Sequence, residues 1–167
     1  RVPRRPRSSK ALAPEPSSAP WPVSCWGMNT YGQLGNGTST ASRTPVSVDG
    51  ISDAIAIGSG ENFSCALLST GAIKCWGQNT SGNLGNGSSL DALTPTSVSG
   101  ISTAIEISVG PQTVCALLQD ATAKCWGANE SGQTGNGLTS SAFSPVAVVG
   151  LTGIAQISAG YSQTLAL

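Results

Sequence analysis

The chain has 167 residues, enough for one domain; 39% are hydrophobic, only 10% are charged, and glycine and proline account for 21 and 10 residues. This apolar share excludes a wholly disordered chain, and no run reaches the ~18 apolar residues of a membrane span, so we predict no membrane contact. The sequence has no histidine, which excludes His-based catalysis and most catalytic metal sites.

Charge divides the chain into two parts. Residues 1–20 are rich in Pro, Ser and Arg and carry five basic residues against one acidic residue, whereas residues 21–167 carry three basic against seven acidic. We expect 1–20 to be a basic leader without fixed structure and 21–167 to be a three-repeat domain. The leader could bind nucleic acid weakly, but the domain has no basic stripe, so we expect none there.

From about residue 21 the sequence repeats every 50 residues. The tripeptide Cys-Trp-Gly occurs at 25–27, 75–77 and 125–127, and the block G-x-x-G-N-G follows it at 32–37, 82–87 and 132–137. When the copies at 25–67, 75–117 and 125–167 are aligned without a gap, 15 of 43 columns are identical. A period of this length is typical of propellers and solenoids.

Within one copy, apolar residues alternate with a period of two, which predicts strands. We predict strands near 46–48, 54–59, 63–68 and 72–77, repeated every 50 residues, and a long loop over the Gly-, Asn- and Ser-rich range 78–94. Four short antiparallel strands per repeat make one propeller blade. The predicted fold class is therefore all-β: β-propeller blades, three repeats, in an incomplete ring.

A three-residue turn at 69–71 (Ser-Thr-Gly) joins the strands at 63–68 and 72–77. The equivalent turn at 119–121 reads Gln-Asp-Ala and lacks the glycine, which weakens that expectation. This turn sets Cys65 opposite Cys75, and the same register sets Cys115 opposite Cys125. Directly opposed Cβ atoms lie about 4.5–5.5 Å apart, close to disulfide geometry.

We therefore predict the disulfides Cys65–Cys75 and Cys115–Cys125, each stabilising the fold by ~2–3 kcal/mol because it closes a short loop. The alternative is two pairs of reduced, buried thiols in a cytosolic blade. Zinc is disfavoured because nine residues separate each pair and the chain lacks Cys-x-x-Cys and His. Disulfides favour an extracellular or cell-surface location, and reduced thiols favour the cytoplasm.

Cys25 has no cysteine at the phase where its disulfide partner would lie. Glu15 takes the phase of its partner, and Leu165 takes the phase of Cys65 and Cys115. The chain thus begins on the second strand of a hairpin and stops on the first. If strand 161–167 paired with strand 21–27, a ring would close with Leu165 facing Cys25, which we predict to be a free thiol. Three arrangements stay open: an excerpt of a longer ring, self-association of two chains into six blades, or a closed three-blade ring.

Trp26, Trp76 and Trp126 occur once per copy at a fixed phase, so we interpret them as blade-packing residues rather than ligand-stacking residues. The glycine blocks match no phosphate-binding pattern, and no acidic residue recurs in all three copies. We therefore predict no cofactor, no metal and no catalytic residue.

Residues 65–87, C-A-L-L-S-T-G-A-I-K-C-W-G-Q-N-T-S-G-N-L-G-N-G, resemble the regulator of chromosome condensation repeat, and in particular its cysteine-containing, bacterial-type branch. The resemblance covers 21–167 and implies a β-propeller, commonly of about seven blades. Members of the family include exchange factors for a small nuclear GTPase, plant light receptors and secreted β-lactamase inhibitors, so they share a scaffold rather than one activity. The exchange factors use acidic and His residues, and none of these can be carried over to this chain.

The repeats keep one framework and vary between Gly and Pro, at 38–44, 88–94 and 138–144. Variable loops on a fixed scaffold are a common way to build a binding site. We therefore predict a non-catalytic protein–protein interaction module, with Tyr31, Arg43 and Phe143 as candidate contacts because aromatic and Arg side chains dominate interface energetics. The alternatives are a guanine-nucleotide exchange factor for a small GTPase and a structural fragment of a longer propeller.

Overall fold

The computed structural model describes residues 21–167, and all regular structure in this range is antiparallel strand. The predicted leader at 1–20 lies outside the described residues. The twelve strands are β1 Ser24–Gly27, β2 Ser42–Ser47, β3 Ala54–Ser59, β4 Phe63–Leu68, β5 Ile73–Gly77, β6 Ala92–Ser97, β7 Ala104–Val109, β8 Thr113–Leu118, β9 Ala123–Gly127, β10 Ala142–Ala147, β11 Ile157–Ala159 and β12 Thr164–Ala166.

The strands form two complete blades and two half-blades. The first complete blade has the order β3-β4-β5-β6 and the second β7-β8-β9-β10. The N-terminal half-blade, β1-β2, has the phase of the third and fourth strands of a blade, and the C-terminal half-blade, β11-β12, has the phase of the first and second. Within residues 21–167 the predicted phase of the strands is therefore confirmed, and so is the all-β, incomplete-propeller fold class.

The closed three-blade ring is wrong. Within residues 21–167, β1-β2 and β11-β12 form two separate two-stranded sheets, and β12 is not hydrogen-bonded to β1. Leu165 pairs with Ser158 of β11, and Cys25 does not face it on the other edge of β12.

The outermost strand of each blade begins earlier than predicted. We expected a strand near 46–48, but β2 spans Ser42–Ser47, and its counterpart β6 begins at Ala92, inside the predicted loop 78–94. These strands are largely exposed, contain a proline, and meet the cysteine strand through a ladder interrupted by a register shift. An edge strand of this kind shows little apolar alternation, so periodicity does not detect it.

The hydrophobic core lies largely between blades. Strand β4 is buried along its whole length, and Leu67 and Ile73 contribute to a cluster that also contains Trp126 and Val114 of the second complete blade. The inner strands β3, β7 and β11 lie side by side where the blades converge. Gly58 of β3 allows this approach, since a Cβ there would lie 2.5 Å from the Val109 side chain.

The turn at 119–121 forms despite its missing glycine. Ala121 adopts the left-handed conformation, with φ of 57°, that Gly71 adopts in the preceding repeat. Asp120 supports it, because its carboxylate accepts hydrogen bonds from the Thr122 amide at 3.1 Å and the Thr122 hydroxyl at 2.6 Å. Across residues 21–167, no helix has the length and hydropathy needed to cross a membrane.

Candidate functional site

The variable segments lie in three loops that connect the cysteine strand of each blade to its outermost strand. We call residues 28–41, 78–91 and 128–141 the repeat loops. They carry little regular structure, so their shape must come from side-chain contacts.

One asparagine organises each repeat loop. Asn29, Asn79 and Asn129 are fully buried. Each Oδ1 accepts a hydrogen bond from the backbone N–H five residues later, at 2.9, 2.9 and 2.8 Å. Each Nδ2 donates to the carbonyls nine and eleven residues later, at 2.8–3.1 Å. The three loops therefore share one backbone arrangement while the side chains after the Gly-Asn-Gly turn are free to vary.

Sequence reasoning missed these asparagines. The available signal was their identical phase, three residues after the tryptophan in every copy. The acceptors of the Asn Nδ2 groups are backbone carbonyls in the variable segments. Any residue can supply such a carbonyl, so no residue pattern marks the contact.

The loop of one blade is anchored on the tryptophan of the next. Trp76 Nε1 donates to the Gln33 carbonyl at 2.9 Å, and Trp126 Nε1 donates to the Asn83 carbonyl at 3.0 Å. A Cβ on Gly35, whose φ is +69°, would lie 2.6 Å from Trp76 Nε1, so this position requires glycine. We call each such contact, Trp76 on loop 28–41 and Trp126 on loop 78–91, a blade joint.

The packing role predicted for Trp76 and Trp126 is confirmed, since their side chains are 1% and 0% exposed. Trp26 differs, because it is 62% exposed in this structure.

Each joint has a second contact on the outermost strand of the next blade. The Gly37 amide donates to the Leu93 carbonyl at 3.1 Å, and the Gly87 amide donates to the Phe143 carbonyl at 2.8 Å. The first two repeat loops are thus fixed at two points on the following blade, which makes them rigid. We call the surface formed by the repeat loops and the outermost strands beside them the platform.

The predicted contact residues do not form one cluster. Arg43 and Phe143 are exposed and occupy the same position on β2 and β10, with Leu93 at that position on the intervening β6. Tyr31 is half-buried and precedes Gly32, which packs against Leu93. The three residues therefore spread over successive blades, so a partner that contacts all of them must span the platform.

Sequence reasoning missed Leu90, Leu93 and Leu138, which are exposed apolar side chains on or beside the repeat loops. Leu93 could have been found from its phase, because it is the counterpart of Arg43 and Phe143. Leu90 and Leu138 sit at different phases of their loops and carry no repeated signal.

The repeat loops carry two exposed carboxylates, Asp91 and Glu130, and β2 carries Arg43. Asp91 Oδ1 accepts a hydrogen bond from the Asn79 backbone amide at 2.8 Å. Lys74 and Lys124 donate to the carbonyls of Gly50 and Gly100, at 3.3 and 3.4 Å, rather than to acidic side chains. The Thr122 hydroxyl and amide lower the pKa of the exposed Asp120. In the described range, no group of three or more Cys, Asp or Glu side chains is arranged to hold a metal ion.

The cysteines lie where the predicted register puts them. Cys65 is paired with Cys75, and Cys115 with Cys125, and the two Sγ atoms of each pair are 2.10 Å apart. All four are fully buried. Cys25 is a half-buried free thiol, and burial raises its pKa.

The four-stranded antiparallel sheets recur every 50 residues, and their first strands lie together at the centre. This arrangement defines a β-propeller repeat protein. The family model for the regulator of chromosome condensation (RCC1) repeat matches residues 23–67, 71–117 and 125–167. A second model of the same repeat matches 54–83 and 104–133. The chain belongs to the RCC1 repeat family.

Solved structures show the same fold. The chain is similar to Prp20p from Saccharomyces cerevisiae, with a TM-score of 0.78 and 18% identity over 87% of this chain and 39% of that one. It is also similar to human WBSCR16, with a TM-score of 0.77 and 20% identity over 87% and 39%. The chain thus spans about two fifths of the structures it matches. No curated protein sequence matches it significantly.

Proposed function

We propose that residues 21–167 form a non-catalytic protein–protein interaction module that binds its partner through the repeat loops and the adjoining outermost strands. The observation that carries this proposal is the asparagine arrangement: three loops have one backbone shape and different exposed side chains. A rigid backbone with variable side chains limits the entropy lost on binding and leaves specificity to the side chains.

The composition of the platform indicates the chemistry of its partner. The exposed side chains of the repeat loops and the adjoining outermost strands include three apolar residues (Leu90, Leu93, Phe143), one cation (Arg43) and two carboxylates (Asp91, Glu130), among many hydroxyl groups. Such a surface suits a protein patch with an apolar centre and charged groups of both signs around it. The similar yeast protein, Prp20p, is described as binding Gsp1p and histones, and another structure shows it bound to Kap60. These descriptions support protein binding as a role for this fold.

The test compares two variants of the full chain in pull-down experiments, each with quantitative mass spectrometry. The platform variant combines Arg43→Ala, Leu93→Ala and Phe143→Ala, and the control is Ile105→Ala, which changes an exposed apolar side chain on the inner strand β7. We expect the platform variant to lose specific partners and the control to retain them. Equal recovery by both variants, or no specific partner for the unaltered chain, would refute the proposal.

Guanine-nucleotide exchange on a small GTPase is the second candidate. It is supported by the likeness to Prp20p and its described binding to Gsp1p, and that likeness is one of fold alone. A nucleotide-release assay tests it: acceleration by the unaltered chain that the platform variant lacks would favour exchange over simple binding. A structural role within a longer propeller predicts neither partner capture nor nucleotide release.

We also propose that the two cysteine pairs are oxidised in the native protein, which would place the domain in an extracellular or cell-surface compartment. Buried, directly opposed cysteines in both complete blades support this. Counting free thiols in the denatured, unreduced protein tests it. One thiol per chain, from Cys25, is the expected result, and five would indicate the cytoplasmic, reduced alternative.

A further inference from the structure

Each repeat loop contains an asparagine followed directly by a glycine. These Asn-Gly pairs lie at 36–37, 86–87 and 136–137, within the repeated G-x-x-G-N-G block. Asn-Gly is the dipeptide most prone to deamidation, because glycine has no side chain to hinder the approach of its amide nitrogen. That nitrogen attacks the asparagine Cγ, ammonia leaves, and water opens the resulting succinimide to aspartate or isoaspartate. Every loop therefore contains a pair of residues that can react with each other.

Burial does not protect the first two pairs. Asn36 and Asn86 are half-buried, and Gly37 and Gly87 are exposed, so water and base reach both sites. The organising asparagine of the second loop differs, because Asn79 is fully buried and is followed by threonine. Any protection of the Asn-Gly pairs must therefore come from the way in which the reacting atoms are held.

The attacking nitrogen is held by the following blade. The Gly37 amide donates to the Leu93 carbonyl at 3.1 Å, and the Gly87 amide donates to the Phe143 carbonyl at 2.8 Å. Attack requires this amide to lose its proton and to turn toward the asparagine before it. Both changes break the hydrogen bond to the outermost strand, so the seated loop resists the reaction.

The carbon that would be attacked is held as well. Asn36 Oδ1 accepts hydrogen bonds from the Thr38 amide and hydroxyl, at 3.3 and 2.9 Å. Asn86 Oδ1 accepts from the Ser88 amide at 3.0 Å. The joint tryptophan binds the loop at the carbonyl three residues before each asparagine, so both constraints depend on the loop staying seated on the indole.

We propose that Asn36 and Asn86 are deamidation sites that the blade joints keep unreactive, so that opening a joint releases the site in its own loop. Trp76 then protects Asn36, and Trp126 protects Asn86. Isoaspartate adds one carbon to the backbone, which displaces the glycine amide from its acceptor, so reaction at an opened joint prevents the loop from seating again. This inference is independent of partner binding. It concerns the two joints that lie wholly within residues 21–167.

The test compares the two sites in three proteins: the unaltered chain, Trp76→Phe and Trp126→Phe. Phenylalanine keeps an aromatic ring beneath the loop and removes the Nε1–H donor. After incubation in mildly alkaline buffer, peptide mapping by mass spectrometry measures the replacement of NH₂ by OH at each asparagine. We expect Trp76→Phe to accelerate the reaction at Asn36 roughly three- to tenfold and to leave Asn86 unchanged, because losing one buried hydrogen bond raises the population of one open loop. Trp126→Phe should do the converse.

The urea-unfolded chain provides the rate at each site without any joint. We expect both sites in the folded, unaltered chain to react at least about tenfold more slowly than in urea. Asn62, which is followed by the bulky Phe63, is the matched control and should react slowly in every protein. Equal acceleration of both sites by one variant, unchanged rates in both variants, or a folded chain that reacts as fast as the unfolded one would overturn the proposal.

Discussion

The blade joints and the half-blades at the two ends of residues 21–167 contain the same sequence elements in different surroundings. Trp76, Trp126 and Trp26 each follow a cysteine in the same phase of the repeat, yet the first two are buried beneath a repeat loop and the third is exposed. Within residues 21–167, a repeat loop of the preceding blade covers Trp76 and Trp126, and none covers Trp26. Burial in this fold is therefore a property of adjacent repeats rather than of one repeat, as expected for a chain whose repeats stack on their neighbours.

The largest expected effect separates a joint tryptophan from the exposed one. Trp76→Ala should lower the free energy of unfolding by ~3–5 kcal/mol, because it removes a fully buried aromatic side chain. Trp26→Ala should change it by about 0.5 kcal/mol or less, because this side chain is largely exposed. Denaturant unfolding measures both. Equal losses would show that Trp26 is covered in solution.

The cysteines allow the same comparison between complete blades and half-blades. Replacing Cys65 and Cys75 together by Ser should destabilise the chain by ~2–3 kcal/mol, because it removes the short closed loop from a complete blade. Cys25→Ser should have a much smaller effect. Thermal unfolding without reductant provides the measurement, and added reductant should abolish most of the difference between the unaltered chain and the double variant. No difference before reduction would argue that the pair is not bonded.

Two glycines at the same phase of successive repeat loops test the steric part of the joint. Gly85 and Gly135 have φ values of +61° and +66°, so alanine costs about 1–2 kcal/mol of backbone strain at either position. A Cβ on Gly85 would also lie 2.8 Å from the Trp126 ring, whereas on Gly135 it would meet Val148 at 3.1 Å. Gly85→Ala should therefore destabilise the chain more than Gly135→Ala, by a further ~1–3 kcal/mol. Equal losses in denaturant unfolding would remove the steric argument for the joint.

The smallest expected effect is on the pH dependence of the Cys25 thiol in the N-terminal half-blade. Burial raises the pKa of Cys25, so the neutral thiol is favoured in the folded chain. This contribution to stability is present below the pKa of the unfolded state and is lost as the pH rises through the folded-state pKa. Alkylation of Cys25 should show its pH midpoint above that of the same cysteine in the urea-unfolded chain. A midpoint at or below the unfolded value would mean that the thiol is more exposed than the structure shows.

The sequence predicted most of the features that recur in every repeat. It predicted few of the contacts in which a side chain binds a backbone group. The phase of the strands, the pairing of Cys65 with Cys75 and the packing of Trp76 all followed from period and alternation. The asparagine contacts escaped because they join a side chain to carbonyls nine and eleven residues away. The turn at Ala121 formed without glycine because Asp120 and Thr122 support it, a local effect that a composition rule does not capture.

The outermost strands were predicted less well than the others. The early start of β6 concerns a strand edge, where pairing depends on the neighbouring strand rather than on the strand's own residues. The candidate site was predicted in the same uneven way. Its loops were located, but Tyr31, Arg43 and Phe143 were chosen by residue type and proved to lie on successive blades.

Hydrogen exchange of the backbone amides, followed by mass spectrometry in the unaltered chain and in Trp76→Ala, tests the blade joint most directly. The account predicts slow exchange in loop 28–41 of the unaltered chain, where the Gly37 amide donates to the Leu93 carbonyl, and faster exchange there in Trp76→Ala while β8 stays protected. Equal exchange of loop 28–41 in both proteins would contradict it.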